Sequence, residues 1–420
     1  MKTDQIVNKV VEDTLLSDSK FHRSSITVEL ARRSIFAFLN SIEGGSLRLE
    51  EPNASYLFGN SSSEDGIHAM VVVKNKKMYR MVMLNTSIGA GEAFMEGYWT
   101  SPDLTAVIRL LCRNLAKFRR LGGLVSSLVR SMERYRHRLA ANTPTGSRRN
   151  IRAHYDLGNE FFATFLDKHM MYSSAIFSES SLDLDTASKH KLQKIGGHLE
   201  LTENDHVLEI GTGWGGLAVY FAENYSCKVT TTTISAEQYS YTCELVKKKG
   251  LDQYITVLNQ DYRELAGQFD KLVSVEMIEA VGHNYLQKYL NKCNELLVPK
   301  GKFLLQAIVI PEQRYQAARN GVDFIQRYIF PGGGLPSLES ILKSAGKNTQ
   351  LQMKYLEDIG ADYAETLRHW RYRFLSNSER ITAMGFDDRF MRMWQFYLAY
   401  CEGGFDEDAI SATQILLVKV

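Results

Sequence analysis

The ten residues Val207-Leu208-Glu209-Ile210-Gly211-Thr212-Gly213-Trp214-Gly215-Gly216 join a short apolar run to a glycine-rich turn, and Leu217-Ala218-Val219-Tyr220-Phe221 after them reads as the start of a helix. Glycines at a strand-to-helix corner let the backbone take positive φ and approach a ligand closely. The free N–H groups of the helix start favour polar or anionic atoms. The chemistry this suggests is binding of a nucleotide-like cofactor. A dinucleotide site would carry G-x-G-x-x-G and an acid about 20 residues on to grip the ribose. Here the glycines run G-x-G-x-G-G, and the next strand, Cys227 to Thr233, ends in three threonines. The acid is Glu209, inside the first strand. That pattern suits an S-adenosylmethionine site better than a nicotinamide one. From these residues alone a purely structural turn in an α/β domain stays open.

The chain has 420 residues, 44% of them hydrophobic, enough for a large core and two domains. The net charge is only +2 but unevenly spread. Between Arg109 and Arg152 stand Arg113, Lys117, Arg119, Arg120, Arg130, Arg134, Arg136, Arg138, Arg148 and Arg149, against the single acid Glu133. An anionic partner is expected: membrane phosphates, nucleic acid, or an acidic surface of the same protein. Cys112, Cys227, Cys243, Cys293 and Cys401 are scattered, without C-x-x-C spacing. This argues against a zinc site or a disulfide framework and fits a reducing compartment. The first residues lack an apolar signal core, and no run of about 18 apolar residues occurs. A cytoplasmic protein is expected.

Residues 1–40 read as mostly helical, with Ile6, Val10, Val11, Leu15 and Leu16 at helical spacing. From Gly45 to Tyr98 the pattern predicts strands: 46–50, 68–73 and, after a turn at Lys74-Asn75-Lys76-Lys77, Met78 to Met83. Residues 104–140 predict amphipathic helix through Leu104, Val107, Ile108, Leu111, Leu115, Leu121, Leu124 and Leu128, and 142–147 a linker. Strand-like runs then fall at 206–210, 227–233, 255–259, 271–276, 302–310 and 413–419, with helices between most of them. Such alternation builds a mostly parallel sheet covered on both faces. The division expected is a small α+β domain over 1–104, a basic helical connector and linker over 105–150, and an α/β domain over 151–420.

Several segments together resemble the cyclopropane fatty acid synthase family, including the related mycolic acid methyltransferases. They are His154-Tyr155-Asp156-Leu157-Gly158-Asn159, Met171-Tyr172-Ser173, the glycine corner, Thr233-Ile234-Ser235-Ala236-Glu237-Gln238, Gln260-Asp261-Tyr262-Arg263, Glu279-Ala280-Val281-Gly282, Tyr328-Ile329-Phe330-Pro331-Gly332-Gly333 and Gly360-Ala361-Asp362-Tyr363. The resemblance covers roughly residues 85–420. It implies a doubly wound, mostly parallel seven-stranded methyltransferase sheet with an antiparallel last strand, beside a smaller α+β N-terminal domain. It also implies methyl transfer from S-adenosylmethionine to a cis double bond of a phospholipid acyl chain, giving a cyclopropane or a methyl-branched product. Tyr172 and Ser173 would then meet the cofactor's methionine end, Glu209, Gly211 and Gly213 form its corner, Thr233 and Gln238 hold the ribose side, and Gln260 and Asp261 face the adenine. As plain structure, Thr233 and Ser235 could cap the helix that begins there.

In the family so resembled, the base is a bound bicarbonate held by a glutamate, a tyrosine, a histidine and two main-chain groups. The resemblance carries these roles to Glu279, Tyr363, Gln306, Ser174 and Ile308. Two positions depart from the family pattern: its Tyr-Ser-Cys reads Tyr172-Ser173-Ser174, and its histidine is Gln306. Glutamine can exchange hydrogen bonds but cannot change charge near neutral pH. Either it replaces one hydrogen bond with another, or proton loss moves to a different carbon and the product is methyl-branched. Trp370, Tyr372, Phe374, Met391, Met393, Trp394, Phe396 and Tyr397 are expected in the core or along an acyl tunnel. The expected partners are an anionic bilayer surface bound peripherally and, for assembly, a homodimer; neither nucleic acid nor a metal is expected. A small-amine N-methyltransferase and a non-catalytic lipid-binding relative remain the alternatives.

Overall fold

The computed structural model describes residues 27–60, 66–118, 146, 157–179 and 183–420. The chain divides into two compact units, Met1–Ser131 and Met132–Val420. The expected helical positions from Ile6 to Leu16, the basic residues from Arg119 to Arg152, and His154-Tyr155-Asp156 lie outside the described residues.

In the first unit, β1 (Gly45–Glu51), β2 (Ala54–Gly59), β3 (Ile67–Val73) and β4 (Trp99–Thr100) form a sheet in the order β2-β1-β3-β4. The alternation at 46–50 does what a half-buried strand requires: Leu47 and Leu49 are buried while Arg48 between them is exposed. Helix α1 (27–39) precedes the sheet. The segment 78–83, expected as a strand, is instead the start of helix α2 (Lys77–Met95). Met78, Tyr79 and Val82 are its buried positions, a helical spacing masked by the apolar density of the segment. The helix is interrupted at Asn85 and Thr86, and its two halves close on Gly89, where a Cβ would sit 1.9 Å from the Met81 carbonyl oxygen.

The amphipathic stretch from 104 is helical as α3 (Leu104–Arg113), capped by the Asp103 carboxylate, which accepts from Ala106 N at 3.0 Å. It breaks at Asn114, whose side chain donates to Glu43 O and Leu110 O and accepts from Glu43 N. Two of the basic residues are spoken for here: Arg113 donates to Gly44 O, and Lys117 donates to Ser41 O and pairs with Glu43.

In the second unit a seven-stranded sheet runs β10-β11-β9-β8-β5-β6-β7. Its strands are β5 (His206–Ile210), β6 (Lys228–Thr233), β7 (Ile255–Asn259), β8 (Phe269–Val275), β9 (Leu297–Val309), β10 (Leu351–Asp358) and β11 (Ser411–Lys419). β5 pairs parallel with both β6 and β8, and β9 parallel with β8; β11 lies antiparallel between β9 and β10. Helices α4 (Leu184–Leu199), α5 (Gly216–Tyr225), α6 (Ala236–Lys249) and α7 (Leu286–Leu296) are interleaved with the strands, and α8 (Gly360–Ser376) and α9 (Asp388–Asp406) precede β11. Successive strand residues serve opposite faces: Leu208, Ile210, Ile415 and Leu417 enter one core, Val207, Val229 and Leu416 the other. β10 was not among the six runs read from the sequence. It is an edge strand with Leu351 as its one buried residue, so it lacks the apolar run of the central strands.

Among the described residues of the first unit, Arg32, Glu51 and Tyr79 form a part-buried ionic network. Arg32 donates to both carboxylate oxygens of Glu51 (2.7 and 3.1 Å), and Tyr79 OH donates to Glu51 Oε1 at 2.7 Å. Glu51→Ala would leave the part-buried Arg32 guanidinium and the Tyr79 hydroxyl without this partner, and we expect a loss of about 1.5–3 kcal/mol. Urea unfolding of the first unit checks this; a loss below about 1 kcal/mol, the median for exposed pairs, would contradict it.

Candidate active site

Strand order reverses at β5: β6 and β7 lie to one side, β8 and β9 to the other. In doubly wound sheets the crevice at the carboxyl ends of such strands is where ligands bind. Glu209, Thr233, Gln260, Glu276, Gln306 and Ile308 all fall at or just beyond those ends.

At the end of β5 the backbone turns through Gly211 (φ 106°), Gly213 (φ 53°) and Gly215 (φ 83°). Gly211 N and Thr212 N both donate to Thr232 O, tying the corner to β6. A Cβ at Gly213 would meet no protein atom within 4 Å, whereas one at Gly216 would lie 2.3 Å from His169 O. The first glycine faces open space; the second is required where the segment 167–174 crosses the start of α5. Trp214 Nε1 donates to Asn159 Oδ1 at 2.7 Å, which brings the only described end of the 154–159 motif to the corner.

The Glu209 carboxyl is buried, and Thr231 Oγ1 donates to its Oε2 at 2.6 Å. Burial pushes its pKa up to about 8. At the end of β6, Thr233 Oγ1 donates to Gln238 Oε1 (2.9 Å) and accepts from Ser235 N, and Ser235 caps α6. The cap is therefore Ser235, while Thr233 orients Gln238. Gln260 donates through Nε2 to Glu264 O, and Asp261 is held by Arg263 through a two-point guanidinium pair at 2.7 Å.

Tyr172 OH lies 2.9 Å from Tyr397 OH, and its ring sits 5.3 Å from those of Phe162 and Trp370. Ser173 Oγ accepts from Lys191 Nζ at 2.7 Å. Lys191 is fully buried on the inner face of α4; burial lowers its pKa to about 8, opposed by the charges of Glu276 and Asp167. Trp370, Phe374, Trp394, Phe396 and Tyr397 are buried, as expected of core or tunnel residues. Met391 and Met393 are only partly buried, and Tyr372 is an exception, 72% exposed on the outer side of α8.

Ser174, Gln306 and Tyr363 meet around an acid not singled out from the sequence, Glu276. Glu276 Oε1 accepts from Ser174 N (2.9 Å) and Gln306 Nε2 (2.8 Å), and Glu276 Oε2 accepts from Tyr363 OH (2.6 Å). Gln306 is itself fixed, its Oε1 accepting from Gln414 Nε2 at 2.9 Å. Glu279, to which the binding role was carried, accepts from Ile308 N through Oε1 at 2.5 Å, and its buried Oε2 has no protein partner. Burial raises the Glu279 carboxyl to about 8, and the Glu276 charge adds to the rise. Tyr363 thus bonds Glu276 rather than Glu279. The phenol of Tyr363 is pushed well up, first by burial and then by the adjacent Glu276 charge.

Bicarbonate does not fit this arrangement. The N–H of Ser174, the amide of Gln306 and the hydroxyl of Tyr363 all end on Glu276, and the N–H of Ile308 ends on Glu279. The signal that could have found Glu276 is its place directly after the buried run Leu272-Val273-Ser274 and Val275, with no basic neighbour in sequence. Lys191 had a clearer one: it shares the 184/187/188/191/195 spacing of the buried face of α4.

The family model described as mycolic acid cyclopropane synthetase matches residues 142–415. The chain is 37% identical over 350 residues to tuberculostearic acid methyltransferase UfaA1 of Mycobacterium tuberculosis, covering 79% of each chain. It is 36% identical over 356 residues to the cyclopropane-fatty-acyl-phospholipid synthase of Escherichia coli strain K12, covering 84% of this chain and 88% of that one. Among solved structures it is similar to the mycolic acid cyclopropane synthase CmaA1 complexed with SAH and CTAB, with TM-score 0.60 and 26% identity over 65% of this chain and 98% of that one.

The Glu209 shift has a sign that can be checked. The folded chain keeps a proton that the unfolded chain releases near 4.5, so stability falls as pH rises from about 4.5 to about 8. Glu209→Gln removes this term. The variant's stability relative to the parent should climb across that window and level off above it in urea unfolding. A constant difference across the window would contradict a raised Glu209 pKa.

Proposed function

The chain belongs to the mycolic acid cyclopropane synthetase family, and on that premise we propose that it transfers a methyl group from S-adenosylmethionine to a cis double bond of an unsaturated phospholipid acyl chain. The observation that carries this reading is the placement of a glycine corner and a buried carboxylate pocket at the ends of β5 and β8, two hydrogen-bonded neighbours of one sheet. An alkene is a weak nucleophile, so the sulfonium methyl must supply the drive. Attack by the π bond leaves positive charge on the neighbouring carbon. The site must then exclude water, stabilise that charge and accept a proton.

The chain's own residues suit these tasks. Trp370, Phe374 and Trp394 supply buried apolar walls, and the faces of Tyr172 and Trp370 offer electron-rich surface to a cation. Loss of a proton from the new methyl closes a cyclopropane ring; loss from the chain leaves a methyl branch on an alkene. Within the reading, Tyr172, Ser173, Glu209, Gly211, Gly213, Thr233, Gln238, Gln260 and Asp261 hold the cofactor. Glu279, Tyr363, Gln306, Ile308 and Ser174 stand on the acceptor side.

The lipid substrate also makes peripheral contact with the cytoplasmic face of the membrane part of the proposal, through the basic span 109–152. Among the described residues no helix is long and apolar enough to cross a membrane. Each basic residue near an anionic surface contributes about 1 kcal/mol, weakened by salt. Vesicle co-sedimentation should require anionic lipid and fall at high salt; equal binding to neutral vesicles would contradict it.

Two further outcomes test the reaction. Gly213→Val places a branched side chain where the backbone meets cofactor, and calorimetry should show loss of S-adenosylmethionine binding in a protein that still folds. Unchanged affinity would sink the corner assignment. In cells fed methyl-labelled methionine, mass spectrometry should find acyl chains heavier by one methylene. Ring closure removes one labelled hydrogen, whereas proton loss from the acyl chain leaves the labelled methyl whole. Acyl chains without label would contradict the proposal.

A further inference from the structure

Given that reaction, the pocket must contain whatever receives the proton. We propose that the base is built into the chain: the Glu276 carboxylate, seated on Ser174 N, Gln306 Nε2 and Tyr363 OH, takes the proton released after methyl transfer, and no bicarbonate is required. The inference rests on the methyl-transfer reading above.

Four observations carry it. First, the carboxylate meets three donors from three separate parts of the fold: the 171–174 segment, β9 and α8. Such convergence on one buried anion is a binding site whose ligand is a side chain. Second, a carboxylate offers about four acceptor positions. Oε1 uses two and Oε2 uses one, so one position on Oε2 stays free to receive a proton. Third, Glu276 has φ 50°, a left-handed conformation that is costly for a residue with a Cβ and clusters at functional sites. Its N–H is anchored to Gln306 O at 2.8 Å, so the strain holds the side chain over the donors. Fourth, burial raises the Glu276 pKa despite the opposing Tyr363 hydrogen bond and Lys191 charge, which makes it a stronger base than an exposed carboxylate.

Glu276 also gives Gln306 a purpose. A glutamine cannot take the proton itself, but its amide, locked by Gln414, donates to Glu276 without altering the pocket's charge. The step balances. The methyl carbon leaves sulfur and bonds to one alkene carbon, and the cation forms on the other. The C–H pair of the departing proton then closes the ring or a new double bond, and the proton ends on Glu276 Oε2. S-adenosylhomocysteine and a neutral Glu276 remain, and the proton is released to solvent before the next turnover.

The test uses the full chain with S-adenosylmethionine carrying a labelled methyl and vesicles of an unsaturated phospholipid, in buffer stripped of dissolved carbon dioxide. The parent should transfer methyl at the same rate with and without added bicarbonate. Glu276→Gln should lose about 10²–10⁴-fold in rate, the usual size of a general-base contribution, with its melting temperature and calorimetric cofactor affinity close to the parent's. Glu276→Gly, which relaxes the positive φ and opens the three donors, should be as slow in stripped buffer and recover at least tenfold on adding bicarbonate. A merely structural role would give no such rescue. A parent that needs added bicarbonate, or a Glu276→Gln variant at the parent rate, would overturn the inference and leave the methyl-transfer reading standing. A parent that transfers methyl to no acyl chain would remove both.

Discussion

A carboxylate buried away from water must be given its hydrogen bonds by the fold, and much of the catalytic unit is arranged around that need at Glu276. Its donors come from a segment before the sheet, a strand in its middle and a helix after it. Each must arrive correctly placed, because a half-satisfied buried anion costs more than none. This explains why Ser174 contributes only its backbone here, its hydroxyl being turned to Ala175 O. It also explains why Gln306 is buttressed by Gln414 from β11, which makes the antiparallel last strand part of the site as well as of the sheet.

The surrounding charges fall into place from the same constraint. Lys191, fully buried, supplies positive charge that opposes the desolvation of both Glu276 and Asp167. Asp167 in turn accepts from His169 N and Met171 N, fixing the loop that carries Tyr172, Ser173 and Ser174. Glu279 lies beside Glu276, and burial with the Glu276 charge pushes its carboxyl up to about 8. Two acids a turn apart therefore have different surroundings: Glu276 meets three donors, whereas the buried Oε2 of Glu279 has no partner in the protein.

Much of this was legible in the sequence because local rules and global fold agree there. The glycine corner and the strands 206–210 and 255–259 stand where periodicity and turn chemistry placed them. What failed did so for identifiable reasons. The segment 78–83 is apolar at so many positions that a period of two and one of 3.6 both fit, and tertiary packing chose the helix. β10 has too little buried surface to announce itself. In the site, motif position alone gave Tyr363, Gln306, Ile308 and Ser174 a common ligand. That Tyr363, Gln306 and Ser174 share Glu276 while Ile308 N goes to Glu279 could not be seen, because the register of β8 against β9 and the left-handed turn after Val275 exist only in the folded chain.

The central claim is that a protein carboxylate, and not a bound ion, occupies the donor set of Ser174, Gln306 and Tyr363. A crystal structure of the protein grown in the presence of bicarbonate tests it most directly. The account predicts continuous side-chain density for Glu276 within hydrogen-bond distance of all three donors and no separate trigonal density among them. A planar ion on Tyr363 OH and Ser174 N, with Glu276 turned away, would contradict it.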